Sequence, residues 1–158
     1  MTTSQQQPAI GLAMRFHVQI DGIDLGSWSS CKGLDVKIKL EQLHDPGDYS
    51  YKRILFADVE YSTVKLERAI DATSSPVVRA WLADRLSPWN QPGSMPSPLQ
   101  MFAGSGTATI TLLDGAWQAV CDWTLRNVYP AGWTGPSLVA DSKNVAIEQL
   151  ELAHEGFL

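Results

Sequence analysis

Thr107, Thr109 and Thr111 alternate with Ala108, Ile110 and Leu112. After Asp114-Gly115 the alternation resumes, with Trp117, Ala119, Cys121, Trp123 and Leu125 set against Gln118, Val120, Asp122, Thr124 and Arg126. Successive side chains of a strand point to opposite faces, so a period of two broken by a tight-turn dipeptide specifies a β-hairpin. The same period recurs along the chain. Phe16, Val18 and Ile20 alternate with His17, Gln19 and Asp21, and Asp21-Gly22 turns the chain into a second strand. Leu34, Val36, Ile38 and Leu40 oppose Asp35, Lys37, Lys39 and Glu41, a dry face that belongs in a core. Val64 and Leu66 oppose Lys65 and Glu67. The last strand runs through the segment from Asn144 to Phe157, where the alternation slips between Ile147 and Leu150 and predicts a bulge near Glu148-Gln149. These segments predict a mainly β fold, an antiparallel β-sandwich or barrel of about seven strands with one packed α-helix.

The helix is predicted in SSPVVRAWLADRL. Ser75 is placed to cap it, and Pro76 suits the first helical position, where its missing N–H would be unpaired anyway. Val78, Trp81, Leu82 and Leu86 form its apolar stripe, and Pro88 ends it. Three stretches interrupt the regular elements: His44 to Asp58, around Pro46-Gly47; the Pro-, Gly- and Ser-rich segment 87–106; and the turn-rich connector PAGWTGPSLVADSK. Residues 1–11 read as a flexible arm and 12–158 as one domain, of a length that needs no metal or disulfide to fold.

Composition narrows the function. The net charge is −5 and no run of Lys or Arg occurs, which argues against nucleic-acid recognition. No apolar stretch approaches the roughly 20 residues that span a bilayer, and MTTSQQQPAIG lacks the regions of a signal peptide, so synthesis and assembly in the cytoplasm are expected. Cys31 and Cys121 read as two buried thiols. His17, His44 and His154 lie far apart with no second ligand at metal spacing. There is no Gly-x-Ser-x-Gly elbow and no phosphate-cradling glycine loop. The acidic pairs Glu148/Glu151 and Asp45/Asp48 read as solvated charges. The six tryptophans suit a barrel core or a ligand pocket. The expectation is a protein that is not an enzyme, with no cofactor and no metal.

Two segments carry more than pattern. RFHVQIDGIDLGSWSSCKGLDVKIK joins a strand ending in Ile-Asp-Gly to Gly-Ser-Trp-Ser and Gly-Leu-Asp. Further on, Trp123, Asn127, Pro130, Trp133, Gly135 and Pro136 are followed by the run from Asn144 to Gly156. Together with YSTVKLERAID and the helix, these resemble the tail-tube family of contractile phages and of phage-tail-like contractile injection systems, related to the Hcp rings of type VI secretion. The resemblance extends from Met14 to Leu158. It implies a β-barrel subunit closing into hexameric rings, stacked into a hollow tube inside a contractile sheath, with strands of neighbouring subunits joined into one sheet around the bore. The implied partners are further copies of the chain, sheath and baseplate proteins, and protein cargo in the lumen, within a virion-like or extracellular contractile particle. The chain departs from the family in the longer 87–106 segment and in Gly132, where a lysine is common. These departures leave open a specialised baseplate-proximal or tube-initiating ring. A small-ligand-binding β-barrel is the more remote alternative.

The resemblance also proposes sites. Alternation alone describes outer solvent faces as well. As a tube subunit, the chain would turn Asp35, Lys37, Lys39 and Glu41 toward the bore. Thr107, Thr109, Thr111, Gln118, Asp122 and Thr124 are the second lumen-facing set. Asp45, Asp48, Tyr49 and Tyr51 in the first long loop, and Trp89 and Met95 in the 87–106 segment, are candidates for contacts between rings or with partners.

Overall fold

The computed structural model describes residues 16–44, 46–47, 50–90, 93, 106–141 and 143–158. Along the chain these form β1 (Phe16–Ile20), β2 (Ile23–Trp28), β3 (Ser30–Lys32), β4 (Val36–Leu43), β5 (Arg53–Tyr61), β6 (Val64–Ala69), α1 (Ser74–Leu86), β7 (Gly106–Leu113), β8 (Ala119–Thr134) and β9 (Ile147–Ala153). Seven strands share one antiparallel sheet in the order β2-β1-β7-β8-β9-β6-β3, while β4 and β5 pair only with each other. The mainly β, sandwich-like fold matches the sequence expectation, with one helix and nine strands among the described residues in place of about seven.

Two further strands, β3 and β5, and a longer β8 make the difference. β2 and β3 are one extended stretch interrupted at Ser29, so the two ends of the sheet are consecutive in sequence. β5 occupies much of what reads as a long loop, leaving the connection to residues 44–52. Finally, β8 continues through Pro130 to Thr134, the start of the expected connector. Its first half pairs with β7 and its second with β9. Between them Asn127 takes φ 49, a left-handed conformation that asparagine tolerates, and the strand bends from one layer into the other.

Inward positions of both layers build the core. Val18, Ile20, Leu25, Val64, Leu66, Ala108, Leu125, Val128, Leu150 and Leu152 are fully buried. Burying each valine, leucine or isoleucine contributes about 1.5–3 kcal/mol. α1 closes one side, turning Val78 and Trp81 inward against β2 while Leu86 stays half exposed. Its start differs from expectation. Asp71 Oδ1 accepts the N–H groups of Thr73 and Ser74, and these hydrogen bonds hold its carboxyl below the usual carboxylate range. Ser75 is already inside the helix and turned toward the core, so the cap lies upstream of the serine and Pro76 sits in the third helical position.

The bulge expected in β9 is absent. β9 pairs with β6 without a shift, and Glu148, Leu150 and Leu152 are all inward. The apparent slip is a charged residue in a core position. The irregularity lies on the partner strand, between Pro130 and Gly132.

Candidate assembly surfaces

The β4–β5 ribbon stands off the body. From Lys37 to Glu60 every described residue of it is exposed. Directly opposed residues share a face, so the pairs Val36↔Tyr61, Ile38↔Val59, Leu40↔Phe56 and Gln42↔Ile54 define one side. Lys37↔Glu60, Lys39↔Asp58, Glu41↔Leu55 and Leu43↔Arg53 define the other. A bulge between Phe56 and Asp58 inserts Ala57 and brings Phe56 onto the side of Ile38 and Leu40. Leu34 packs on the core and Val36 is half-buried, but beyond them the dry face expected in a core is bare. Ile38 is 53% exposed, Leu40 56%, Ile54 62% and Phe56 66%. Alternation specifies a dry face correctly, but not whether the same chain covers it.

The opposite face is mostly charged and balanced, with Lys37, Lys39 and Arg53 against Glu41, Asp58 and Glu60, and with Leu43 and Leu55 exposed among them. Lys39 Nζ lies 3.2 Å from Glu60 and 3.6 Å from Asp58. The hydrogen bond and charge of Glu60, with a smaller contribution from Asp58, raise its pKa. These exposed pairs set the charge pattern and add little stability.

The ribbon leaves the body through a rigid root. Gly33, at φ +93, passes so close to β6 that a Cβ would sit 2.1 Å from the Thr63 carbonyl oxygen. Ser62 N–H donates to the Asp35 carbonyl at 3.3 Å. Tyr61 packs against His154 and, edge-on, against Phe157. The Gly156 N–H donates to His154 Nδ1 at 3.2 Å, which leaves the ring proton on Nε2 for the Ser62 carbonyl 3.0 Å away. Burial lowers the pKa of this neutral imidazole.

A second polar surface spans four strands. Register aligns Asp24, Gln19, Thr109 and Thr124 in one row, and Ser27, His17, Thr111 and Asp122 in the next. The other side of the same strands carries Val18, Ile20, Ile110 and Leu125 into the core. Behind the layers, Arg68 and Glu148 form an ion pair that Ser75 and Trp133 complete.

The sequence candidates distribute as follows. Lys37, Lys39 and Glu41 share the charged ribbon face, and Asp35 lies just before it, exposed. Thr109, Thr111, Asp122 and Thr124 gather on the four-strand face. Thr107 sits in an irregular step of β7 and Gln118 at the hairpin turn, outside the strand. Tyr51 and Trp89 are exposed, at 54% and 59%. Asp45, Asp48, Tyr49 and Met95 lie outside the described residues. The cysteine expectation divides. Cys31 is partly buried, and burial pushes its thiol up to about 11. Cys121 is exposed because β7 and β8 run on past the end of the core. Among the described residues, no three His, Cys, Asp or Glu side chains gather to hold a metal, and no helix is long and apolar enough to cross a membrane. The bare apolar ribbon face, Arg68 and Trp133 were not among the candidates. An inward-phase arginine and glutamate on two strands were the available signal for the ion pair.

The family model described as T4-like virus tail tube protein gp19 matches residues 12–158. A chain in the baseplate structure of the anti-feeding prophage is 22% identical, with TM-score 0.66, covering 99% of this chain and 95% of that one. A chain in the extended sheath–tube complex of an extracellular contractile injection system, PVC, is 17% identical, with TM-score 0.69 and coverages of 99% and 96%. A chain in the tube-terminating cap of the anti-feeding prophage is 17% identical, with TM-score 0.68 and coverages of 98% and 92%. Among curated proteins none matches.

Proposed function

The chain belongs to the T4-like virus tail tube protein gp19 family, and from that premise we propose that it is a structural subunit of the inner tube of a contractile injection system. Copies close into hexameric rings, and the rings stack around a bore that conducts protein cargo. Sheath and baseplate proteins are the expected partners, in keeping with the sheath–tube and baseplate particles in which chains of this fold occur. The mature location is an extracellular or virion-like contractile particle.

One observation carries the reading: the bare face of Ile38, Leu40, Ile54 and Phe56. A monomer with this face in water exposes contiguous apolar area on both strands of an unsupported ribbon, which marks an interaction surface. A two-stranded ribbon is also marginal by itself and has two unpaired edges. Packing its dry face on a neighbouring copy, with its edge joined to that copy's sheet, resolves both deficits. The charged face then looks the other way, into the bore. The four-strand face of Gln19, Thr109, Thr111 and Thr124 continues the same wet lining. The ribbon part of this lining sets three cations against three anions, with Leu43 and Leu55 at its outer end, and the four-strand part adds hydroxyls with Asp24 and Asp122. The mechanism is mechanical: the sheath shortens and the stiff tube is driven outward.

Electron microscopy and native mass spectrometry of the concentrated protein test this reading. Six-subunit rings are expected. A chain that stays monomeric at high concentration, with the ribbon as structured as it is here, contradicts it.

A further inference from the structure

The β7–β8 hairpin ends in a residue that its backbone does not suit. Trp117 has φ 63, a conformation open to glycine and disfavoured for bulky side chains. The turn holds it there. Asp114 Oδ1 accepts the N–H groups of Ala116 at 2.8 Å and Gln118 at 2.9 Å, Asp114 N–H donates to the Gln118 carbonyl, and Trp117 N–H donates to the Asp114 carbonyl. Trp117 is 63% exposed. Ala119, Cys121 and Asp122 beside it are exposed as well, so the tip projects beyond the core. A strained aromatic presented to solvent on a rigid turn points to a role in contact.

The other end of the same strand carries the complement. Between α1 and the last residues of β8 lies a groove of about 440 Å³, lined by Arg79, Leu82, Leu86, Pro130, Ala131 and Trp133. It is apolar apart from one cation, Arg79. The tip from Leu113 to Gln118 carries one anion, Asp114, and no cation. The groove can therefore receive an indole with Trp133 beside it and Arg79 available to its face, an arrangement that favours aromatic and cation–π contact. Roughly 45 Å of strand path separates Trp117 from Ala131. β8 is paired along both halves, so a chain cannot fill its own groove with its own tip.

Resting on the tube reading above, we propose that Trp117 of one copy seats in the α1–β8 groove of a copy in the next ring. The contact is head-to-tail. Such a contact does not close on itself, so it extends into a stack and sets its polarity.

Two variants test it. Trp117→Gly removes the knob and relieves the turn, so its melting temperature should be no lower than the parent's. Ala131→Glu, at an exposed position, blocks the groove and places an anion where the tip brings Asp114. Both should retain rings by native mass spectrometry and lose the stacked tubes that the parent forms. Mixed together, preformed rings of the two variants should give two-ring stacks and nothing longer, because only the Ala131→Glu knob and the Trp117→Gly groove are intact. Parent-length tubes from Trp117→Gly, or no two-ring species in the mixture, would overturn the proposal. A parent that makes rings but never stacks overturns it too, leaving the ring reading in place. A parent that makes no rings removes both.

Discussion

Arg68 Nε donates to Glu148 Oε1 at 2.7 Å, and the two side chains are 3% and 0% exposed, although 80 residues separate them in the chain. Both occupy inward positions of neighbouring strands, β6 and β9. The pair also organises its surroundings: Ser75 Oγ donates to the same carboxylate oxygen, Trp133 Nε1 to the other, and the guanidinium lies 4.1 Å from the Trp28 ring centroid. A buried pair of this kind ties helix, both layers and the groove wall to one geometry, at a desolvation cost that its own attraction need not exceed.

Removing one partner is therefore expected to cost more than removing both. Arg68→Met alone leaves Glu148 buried and uncompensated, and should destabilise the subunit by about 3–5 kcal/mol. Arg68→Met with Glu148→Leu should recover part of that loss. Urea unfolding of the two variants measures the difference, and a double variant less stable than the single one contradicts the explanation.

Phe56 tests the ribbon. In the isolated subunit it is 66% exposed, so Phe56→Glu should change monomer stability by no more than about 0.5 kcal/mol. Assembly should fail all the same, because the charge would be buried against a neighbour. Size-exclusion chromatography beside a thermal melt separates the two effects.

Gly33→Ala addresses the root. The added carbon meets the Thr63 backbone at 2.1 Å, where no flexible side chain can yield, and φ +93 adds strain. A loss on the order of 3 kcal/mol is expected. Gly47, also at positive φ, has no atom within 4 Å of its virtual Cβ. Gly47→Ala should therefore cost much less, and equal losses at the two sites would show that close approach is not the cause.

His154 makes the root sensitive to acid. Its folded pKa lies below the unfolded value near 6.5, so below that value the unfolded chain binds more protons than the folded one. Stability is lost as pH falls through the unfolded pKa toward the folded one, and is level above about 7. Protonation also sets Nδ1–H against the Gly156 N–H. The expected outcome is a drop in melting temperature as pH falls below about 6.5 that His154→Gln reduces.

How much of this was legible in the sequence depends on whether the residue's partner is local. Strand period, the Asp21-Gly22 and Asp114-Gly115 turns, and the helix all follow from neighbouring residues, and all are present. Elements decided by distant partners were misjudged. Glu148 reads as an outward charge until Arg68 is beside it, and its inward placement imitates a bulge. β8 runs through Pro130 and Gly132 because β9 pairs with it there, against the local turn signal. Ser75 looks like a cap, and its Oγ does accept the Asp71 N–H at 3.1 Å, but its hydroxyl donates inward to Glu148, 73 residues away. The Leu34–Leu40 face shows the limit most clearly. Its pattern fixes that something must cover it; Leu34 packs on the chain's own core, but the surface that would cover Ile38 and Leu40 lies on no part of the described chain.

The most direct measurement is a reconstruction of the assembled particle at side-chain resolution, with Lys39 and Thr109 located in it. The account expects six copies per ring, Lys39 and Thr109 both lining the bore, and Phe56 buried against an adjacent copy. Lys39 and Thr109 on the outer wall, or Phe56 still in solvent within the particle, would contradict it.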